Sequence, residues 1–189
     1  MQAAAQSQGP AATAALADLQ ALLLALPAMG SDAQRLQAVN QFFNRRIRFH
    51  SDFEVWGQED HWATPLELLQ KGQGDCEDYA IAKYATLRAS GMQVQRLRLV
   101  YVRAEMPGQG RAQAHMVLAY YASAREEPLI LDNLRPEVQP ASERTDLQPV
   151  FSFNSEGLWQ GAGQAPAGDP LARLSRWRDV WAKILEEGF

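Results

Sequence analysis

The sequence feature that most constrains the fold is a single change of pattern near Gly91. Before it, stretches with helical spacing and helix-start signals follow one another. Residues 13–26 are rich in Ala and Leu, and after Ser31 apolar residues recur every three or four positions. A third helix is predicted from Thr64, where Thr-Pro-Leu-Glu forms a capping box, and a fourth runs from Cys76 to Gly91. The first half of the chain is therefore predicted to be helical.

The following part of the chain has the composition of β-strands. Segments 94–102 and 115–121 are rich in Val, Leu and other apolar residues, and shorter strands are predicted at 129–131 and 146–153. Residues 157–168 are rich in Gly and Ala and are predicted to form a loop. An Asp-Pro pair then begins an amphipathic closing helix. The predicted order is helices first, then an antiparallel-looking sheet and then a closing helix. This order indicates an α+β fold.

Length and composition indicate one globular domain within the 189 residues. The Ala/Gln-rich opening, residues 1–12, is predicted to be a flexible leader, and residues 13–189 a single domain. A net charge of -4 argues against a nucleic-acid-binding surface. The most apolar early stretch is short and carries Asp18, so no membrane insertion is predicted. No Lys or Arg precedes Arg35, so the protein is either cytoplasmic or a mature form whose signal peptide has been removed.

Cys76 is the only cysteine, which excludes an internal disulfide. It follows Gly74 and Asp75 at the predicted start of a helix, where the positive end of the helix dipole stabilises a thiolate. The alternative is a small buried hydrophobic residue. That alternative is less favoured, because Cys76 stands between two acidic residues. We therefore expect Cys76 to be a nucleophile.

Two further residues complete the set that nucleophilic catalysis by cysteine needs. His115 lies 39 residues after Cys76 in an apolar strand-like run, and Asp132 lies 17 residues further on, at the end of another. In such sites an imidazole shuttles the proton and a carboxylate fixes its tautomer. Taken singly, His115 is also compatible with a structural histidine whose hydrogen bonds are made within a sheet. Asp132 is likewise compatible with a residue that starts a turn. His50 and His61 compete for the role of the imidazole.

Acidic residues crowd the predicted nucleophile. Asp75, Glu77 and Asp78 would raise the pKa of the thiol by like-charge repulsion, which opposes the helix dipole. One interpretation is that they only cap and support the start of the helix. The other is a bound Ca²⁺, which prefers oxygen ligands, with Asp60 or Glu59 completing the ligand set from the polar loop that is predicted at residues 51–61. Zinc is less favoured because no pair of histidines has ligand spacing.

The motifs around Cys76 resemble those of a known family. The sequence Trp-Ala-Thr-Pro-Leu-Glu at 62–67 and the run Gly-Gln-Gly-Asp-Cys-Glu-Asp-Tyr-Ala-Ile-Ala-Lys-Tyr at 72–84 are similar to the bacterial transglutaminase-like cysteine proteinases of the LapG type. Segments 39–44, 114–118 and 131–133 fit the same family. The resemblance covers roughly half of the chain, from Leu36 to Asp132, and is most specific around the cysteine.

The resemblance implies a papain-like, transglutaminase-type α+β fold with Cys76 as nucleophile, His115 as general base and acid, and Asp132 as orienting carboxylate. It implies a calcium requirement, with the acids that flank the cysteine as ligands, Asp75 and Glu77 foremost. It also implies a periplasmic endopeptidase that cuts the N-terminal part of a large surface adhesin and so releases biofilm cells. Members of the family are held inactive by the periplasmic domain of an inner-membrane receptor for cyclic di-GMP.

The same order of Cys, His and Asp also serves other chemistry. Transglutaminases and arylamine N-acetyltransferases transfer the acyl group to an amine instead of to water. A third possibility is a catalytically inactive binding module on the same fold, against which the presence of all three candidate residues counts. The sequence therefore favours a calcium-dependent cysteine endopeptidase over an acyltransferase or a binding module.

Overall fold

The computed structural model describes residues 10–189 except 106, 107, 109, 124, 164 and 165. Its helices are α1 (Pro10–Ala25), α2 (Asp32–Arg46), α3 (Asp52–Trp56), α4 (Pro65–Lys71), α5 (Cys76–Ala89), α6 (Pro170–Arg173) and α7 (Ser175–Glu186). Its strands are β1 (Arg48–Phe49), β2 (Gln73–Gly74), β3 (Leu97–Glu105), β4 (Ala112–Tyr120), β5 (Leu129–Leu131), β6 (Gln139–Pro140), β7 (Leu147–Phe153), β8 (Leu158–Gln160) and β9 (Pro166–Gly168). Of the predicted leader, residues 1–9 lie outside the described residues, and α1 begins at Pro10. Among the described helices, none has the length and apolar character needed to cross a bilayer.

An antiparallel sheet of seven strands is built from the described residues of the second half, in the order β6-β5-β4-β3-β7-β8-β9. Its centre is the long pair of β3 and β4, in register from Leu97 opposite Tyr120 to Glu105 opposite Ala112. The short strands β1 and β2 form a separate parallel pair. The predicted α+β class, with N-terminal helices and an antiparallel sheet, is confirmed.

Residues 157–168, which were predicted to form a loop, contain two strands, so that prediction was wrong. Strand β8 pairs with β7, with Phe153 opposite Leu158, and β9 pairs with β8. The glycines gave the loop signal, but Gly161 lies just after β8 with a φ of +56°, which glycine adopts without strain. Pairing with the neighbouring strand therefore overrode the local composition.

The segment 51–61, predicted as a polar loop, begins with the short helix α3. The carboxylate of Glu54 accepts hydrogen bonds from the backbone N–H of Ser51 at 2.9 Å and from its hydroxyl at 2.8 Å. Gly57 ends the helix in the left-handed conformation, with a φ of +67°. The loop prediction overlooked these two end signals. The helix has a functional consequence, because it buries Asp52 in its first turn.

Helix α5 lies at the centre of the core, and every residue from 78 to 87 is buried. Tyr84 packs edge-on against Trp177, with ring centroids 5.5 Å apart, and against Trp181 at 5.4 Å. Trp177 in turn packs against Phe153 at 5.4 Å. Such aromatic pairs stabilise a core by about 0.5–1.5 kcal/mol each beyond their burial. Helix α7 therefore closes the core over both α5 and the sheet.

Contacts with the preceding segments fix the N-terminal end of α5. Strand β1 pairs with β2 immediately before the helix. The hydroxyl of Tyr79 donates to the carbonyl of Ile47 at 2.6 Å. Gly74 has no room for a side chain, since a Cβ there would lie 2.6 Å from both Asp78 Oδ2 and Leu68 Cδ1. The first turn of α5 is therefore held firmly against its neighbours.

Candidate active site

Cys76 is the first residue of α5, as predicted, and Asp75 is its N-cap. The backbone N–H of Asp75 donates to Asp78 Oδ2 at 3.3 Å, which closes a capping box. The other oxygen of Asp78 accepts the backbone N–H of Ala63 at 2.8 Å. Asp78 therefore supports the start of the helix through both of its carboxylate oxygens.

His115 and Asp132 meet within the sheet. His115 lies on β4, and Asp132 follows β5, which pairs with β4. Atom Nε2 of His115 lies 2.9 Å from Oδ1 of Asp132, and the two residues are only 3% and 1% exposed. This hydrogen bond leaves Nδ1 as the ring nitrogen that can exchange a proton with another group.

Asp132 is held as an anion. Burial alone would raise its pKa, but hydrogen bonds from His115, from the N–H of Leu134 and from the Arg144 guanidinium outweigh burial and bring the pKa below its ordinary range. The bond from Leu134 measures 3.0 Å and that from Arg144 2.7 Å. Donors on both oxygens fix the orientation of the carboxylate as well as its charge.

The thiol of Cys76 lies beside the backbone of β4, at the residue after His115. The N–H of Met116 is near enough to lower the pKa of the thiol, but it is outweighed. Burial first, then the charge and hydrogen bond of Glu77, then the charge of Asp75, raise the pKa of Cys76 well above its ordinary range. The thiol donates to Glu77 Oε2 at 3.0 Å. These surroundings therefore favour the protonated thiol.

The two competing histidines have other partners. Atom Nδ1 of His50 lies 3.6 Å from Glu54 Oε2. The ring of His61 stacks on Trp56, with centroids 4.3 Å apart. His115 is the histidine that the structure joins to the predicted carboxylate.

The acids around Cys76 converge on one another. Ligand atoms lie within 4.8 Å of each other in three groups: Asp75, Cys76 and Glu77; Asp52, Asp75 and Asp78; Asp52, Asp60 and Glu77. All four predicted metal ligands (Asp75, Glu77, Asp78 and Asp60) belong to these groups. Asp52 joins two of them and was missed from the sequence, because its burial depends on contacts distant in the chain. Glu59, the alternative to Asp60, belongs to no such group in the described part of the chain.

Two oxygens of these acids are buried without a hydrogen-bond partner, Oδ1 of Asp52 and Oδ1 of Asp75. The second oxygen of Asp52 accepts the backbone N–H of His61. Asp60 is less free, since its oxygens accept from Trp62 Nε1 at 2.9 Å and pair with Arg176 at 2.8 Å. A buried carboxylate oxygen without a partner is costly, and a cation with oxygen ligands satisfies it. Asp52 and Asp75 are therefore the acids best placed to bind a calcium ion, and Glu77 converges with each of them in a separate group.

The pKa values of the cluster show the same need for positive charge. Burial, followed by repulsion from Glu77 and other acids, raises the pKa of Asp75. Burial also raises the pKa of Asp78 to about 8 and that of Asp52 to about 6. Neighbouring carboxylates that cannot all ionise comfortably form a typical cation-binding arrangement.

The sequence matches one protein family. A sequence model of the bacterial transglutaminase-like cysteine proteinases matches residues 22–153. The chain belongs to this family. The resemblance predicted from the motifs around Cys76 is thereby confirmed, and the family is one of cysteine proteinases. A search among curated proteins gives no match.

Solved structures of LapG from Legionella pneumophila have the same fold. The EGTA-treated LapG structure is 36% identical, with a TM-score of 0.83, and the match covers 97% of this chain and 95% of LapG. The calcium-bound LapG structure is 35% identical, with a TM-score of 0.80, covering 97% of this chain and 96% of LapG. The predicted transglutaminase-like fold is confirmed.

Replacing Asp132 by Asn tests the buried pair through acid unfolding. The folded pKa of Asp132 lies below its ordinary value of 3.8, so the unfolded state binds more protons. The stabilisation is therefore present at neutral pH and is lost as the pH falls through the folded pKa. We expect Asp132→Asn to lower the free energy of unfolding by about 1.5–3 kcal/mol at neutral pH, because it removes the buried charge that accepts from His115 and Arg144, while Arg144 keeps Asp146 as a partner.

The difference between Asp132→Asn and wild type should shrink below about pH 4, where the wild-type carboxylate loses its advantage. Urea unfolding across that range measures it. Asp179→Asn is the matched control, since Asp179 is exposed and should change stability by less than about 0.5 kcal/mol. A difference that stays constant with pH would contradict the anionic state of Asp132.

Proposed function

We propose that the protein is a calcium-dependent cysteine endopeptidase in which Cys76, His115 and Asp132 act as the catalytic triad. One observation carries the proposal: the buried hydrogen bond of 2.9 Å between His115 and Asp132 lies beside a thiol at a helix start. Membership of a cysteine proteinase family supports the same chemistry.

In the proposed reaction, His115 takes the proton of Cys76 at Nδ1, and the thiolate attacks the carbonyl carbon of a peptide bond. Backbone N–H groups in the first turn of α5 stabilise the oxyanion that develops. His115 then donates the proton to the leaving amine, and a water molecule that it activates cleaves the thioester. Asp132 accepts from Nε2–H throughout, which reserves Nδ1 for the transfer.

We propose that Asp52, Asp75 and Glu77 hold the calcium ion, with Asp60 at the edge of the same cluster. The unpartnered oxygens of Asp52 and Asp75 support this choice. Bound calcium would supply positive charge beside the thiol. Glu77 has a second role, because its carboxylate accepts the hydrogen bond of the Cys76 thiol. Asp78, whose two oxygens bond backbone N–H groups, holds the helix start in place.

The biological setting is a proposal that rests on the family resemblance. We propose a periplasmic enzyme whose substrate is the N-terminal region of a large surface adhesin, so that cleavage releases biofilm cells. Its regulator would be the periplasmic domain of an inner-membrane receptor for cyclic di-GMP. The 36% identity to LapG over nearly the whole chain supports this assignment.

Cleavage of an adhesin fragment tests the proposed activity. Wild-type protein in calcium should cut a fragment from the N-terminal region of such an adhesin at one position, as identified by mass spectrometry of the products. Cys76→Ala should abolish cleavage and His115→Gln should lower it by about a thousandfold or more, because each removes a part of the nucleophilic unit.

The matched control is His50→Gln, which removes a histidine outside the site and should cleave at the wild-type rate. An added primary amine separates the competing enzyme class, since amide products in place of hydrolysis products would identify an acyltransferase. Absence of any product with an alkylatable Cys76 and a folded chain would favour the binding module.

Thermal unfolding tests the calcium ligands independently of activity. Calcium at about 100 times its Kd should stabilise the wild type by about 2.7 kcal/mol, which raises Tm by roughly 5–10 °C. Asp52→Asn should lose most of this rise. Without calcium it should unfold at the wild-type temperature or above, because the substitution removes one of the repelling charges.

Glu59→Gln is the control for the calcium experiment. It removes an acid from the same segment that belongs to no converging group among the described residues, so its calcium response should equal that of the wild type. A wild-type Tm that does not respond to calcium or to EGTA would contradict the proposed site.

A further inference from the structure

Arg144 contacts the oxygen of Asp132 that His115 leaves free. It follows the 3-10 turn Ala141–Glu143, between β6 and β7, and its side chain is 2% exposed. One terminal nitrogen, Nη2, donates to Asp132 Oδ2 at 2.7 Å and to Asp146 Oδ2 at 2.8 Å. Its Nε donates to Asp146 Oδ1 at 2.9 Å. The four side chains form a continuous hydrogen-bonded network, His115–Asp132–Arg144–Asp146.

The geometry of this hydrogen-bonded network determines how the Asp132 carboxylate is oriented toward His115. A carboxylate bonded at one oxygen only can rotate about its Cβ–Cγ bond, but Arg144 holds the second oxygen and removes that freedom. Asp146 accepts hydrogen bonds from two nitrogens of the guanidinium, and backbone hydrogen bonds hold Arg144 itself in place. Its N–H bonds to the Ala141 carbonyl at 3.0 Å, and its carbonyl accepts from Leu147 at 3.0 Å.

We propose that Arg144 is a positioning residue of the active site, which fixes the Asp132 carboxylate so that Asp132 orients His115 for proton transfer. The proposal rests on the proposed function of the Cys76, His115 and Asp132 triad. It assigns a role to a residue outside the motifs around Cys76, His115 and Asp132. An arginine suits this role because its planar fork serves two carboxylates at once, which the single ammonium of lysine does less well.

The charges that face Asp132 come from three elements: His115 on β4, Lys83 on α5, and Arg144 with its partner Asp146 before β7. Lys83 is fully buried, which lowers its pKa to about 7 although the charge of Asp132 opposes this, and its Nζ lies 5.6 Å from the centre of the Tyr79 ring. Loss of the Arg144 charge would leave these surroundings more negative. The lost positive charge would favour uptake of a proton by the site, so the profile of kcat/KM against pH should move to higher pH.

The test uses Arg144→Met, Arg144→Lys and Asp146→Asn in the full chain with calcium. The rate of Cys76 alkylation by iodoacetamide is measured against pH, and kcat and KM are measured on the cleaved fragment. We expect Arg144→Met to lower kcat by about tenfold to a hundredfold with KM within about twofold, the size typical of residues that orient a reactive side chain. Both limbs of its kcat/KM pH profile should move up by about one pH unit.

Arg144→Lys should restore part of the lost kcat. Asp146→Asn keeps the Arg144 charge but weakens the hydrogen bonds that hold the guanidinium in place. It should therefore lower kcat without moving the pH profile to higher pH. Arg103→Gln, which removes an exposed arginine on β3, is the control and should match the wild type in kcat and in the pH profile. Thermal unfolding gives the folded fraction of each variant. If Arg144→Met does not fold, the kcat and pH profiles of Arg144→Lys and Asp146→Asn test the proposal in its place.

The proposal is overturned if folded Arg144 variants keep the wild-type kcat and the wild-type pH dependence of alkylation. It is also overturned if kcat falls only in proportion to the folded fraction. The alkylation measurement needs no substrate. If the wild type cleaves nothing while Arg144→Met still shifts the alkylation profile, the proposed proteolysis fails and the positioning role stands.

Discussion

Mutual repulsion among the carboxylates at the N-terminal end of α5 is the constraint on which the proposed chemistry depends. Asp75 and Glu77 lie close to the Cys76 thiol, each also converges with Asp52, and one oxygen each of Asp52 and Asp75 is buried without a partner. Burial and these charges together raise the pKa of the thiol. The positive end of the helix dipole does not outweigh these effects, and the calcium ion proposed above would offset them.

The fold brings these groups together by rigid elements. Helix α5 is buried along its length, and the absence of a side chain at Gly74 lets β2 approach its first turn. Strands β4 and β5 carry His115 and Asp132 to the same place. Arg144 then holds the far side of Asp132. The thiol with its flanking acids and the pair of His115 and Asp132 are therefore carried by different elements, the start of α5 and the sheet, which pack against each other.

Much of this arrangement could be predicted from the sequence, because its signals are local. The capping residues before α4 and α5 indicated where these helices begin, and Val-rich and Leu-rich runs indicated the central strands. The motif around Cys76 also identified the family. His115 and Asp132 were predicted from their spacing, and the structure places their side chains in hydrogen-bond contact.

What escaped prediction depends on contacts between distant segments. Asp52 looked like one acid of a polar loop, and only packing of α3 shows that it is buried and faces Asp75. Arg144 stands among charged residues that resemble a solvated turn, and only the sheet topology brings it to Asp132. The strands within 157–168 were hidden by their glycines, because pairing partners are not visible in local composition.

The most direct test of the account is the pH dependence of Cys76 alkylation by iodoacetamide in calcium and in EGTA. The thiolate is the reactive form, so the midpoint of the profile reports the pKa of the thiol. The account predicts a midpoint lower by at least about one pH unit in calcium, because the ion offsets the carboxylates beside Cys76. Equal midpoints in calcium and in EGTA, with calcium shown to bind, would contradict it.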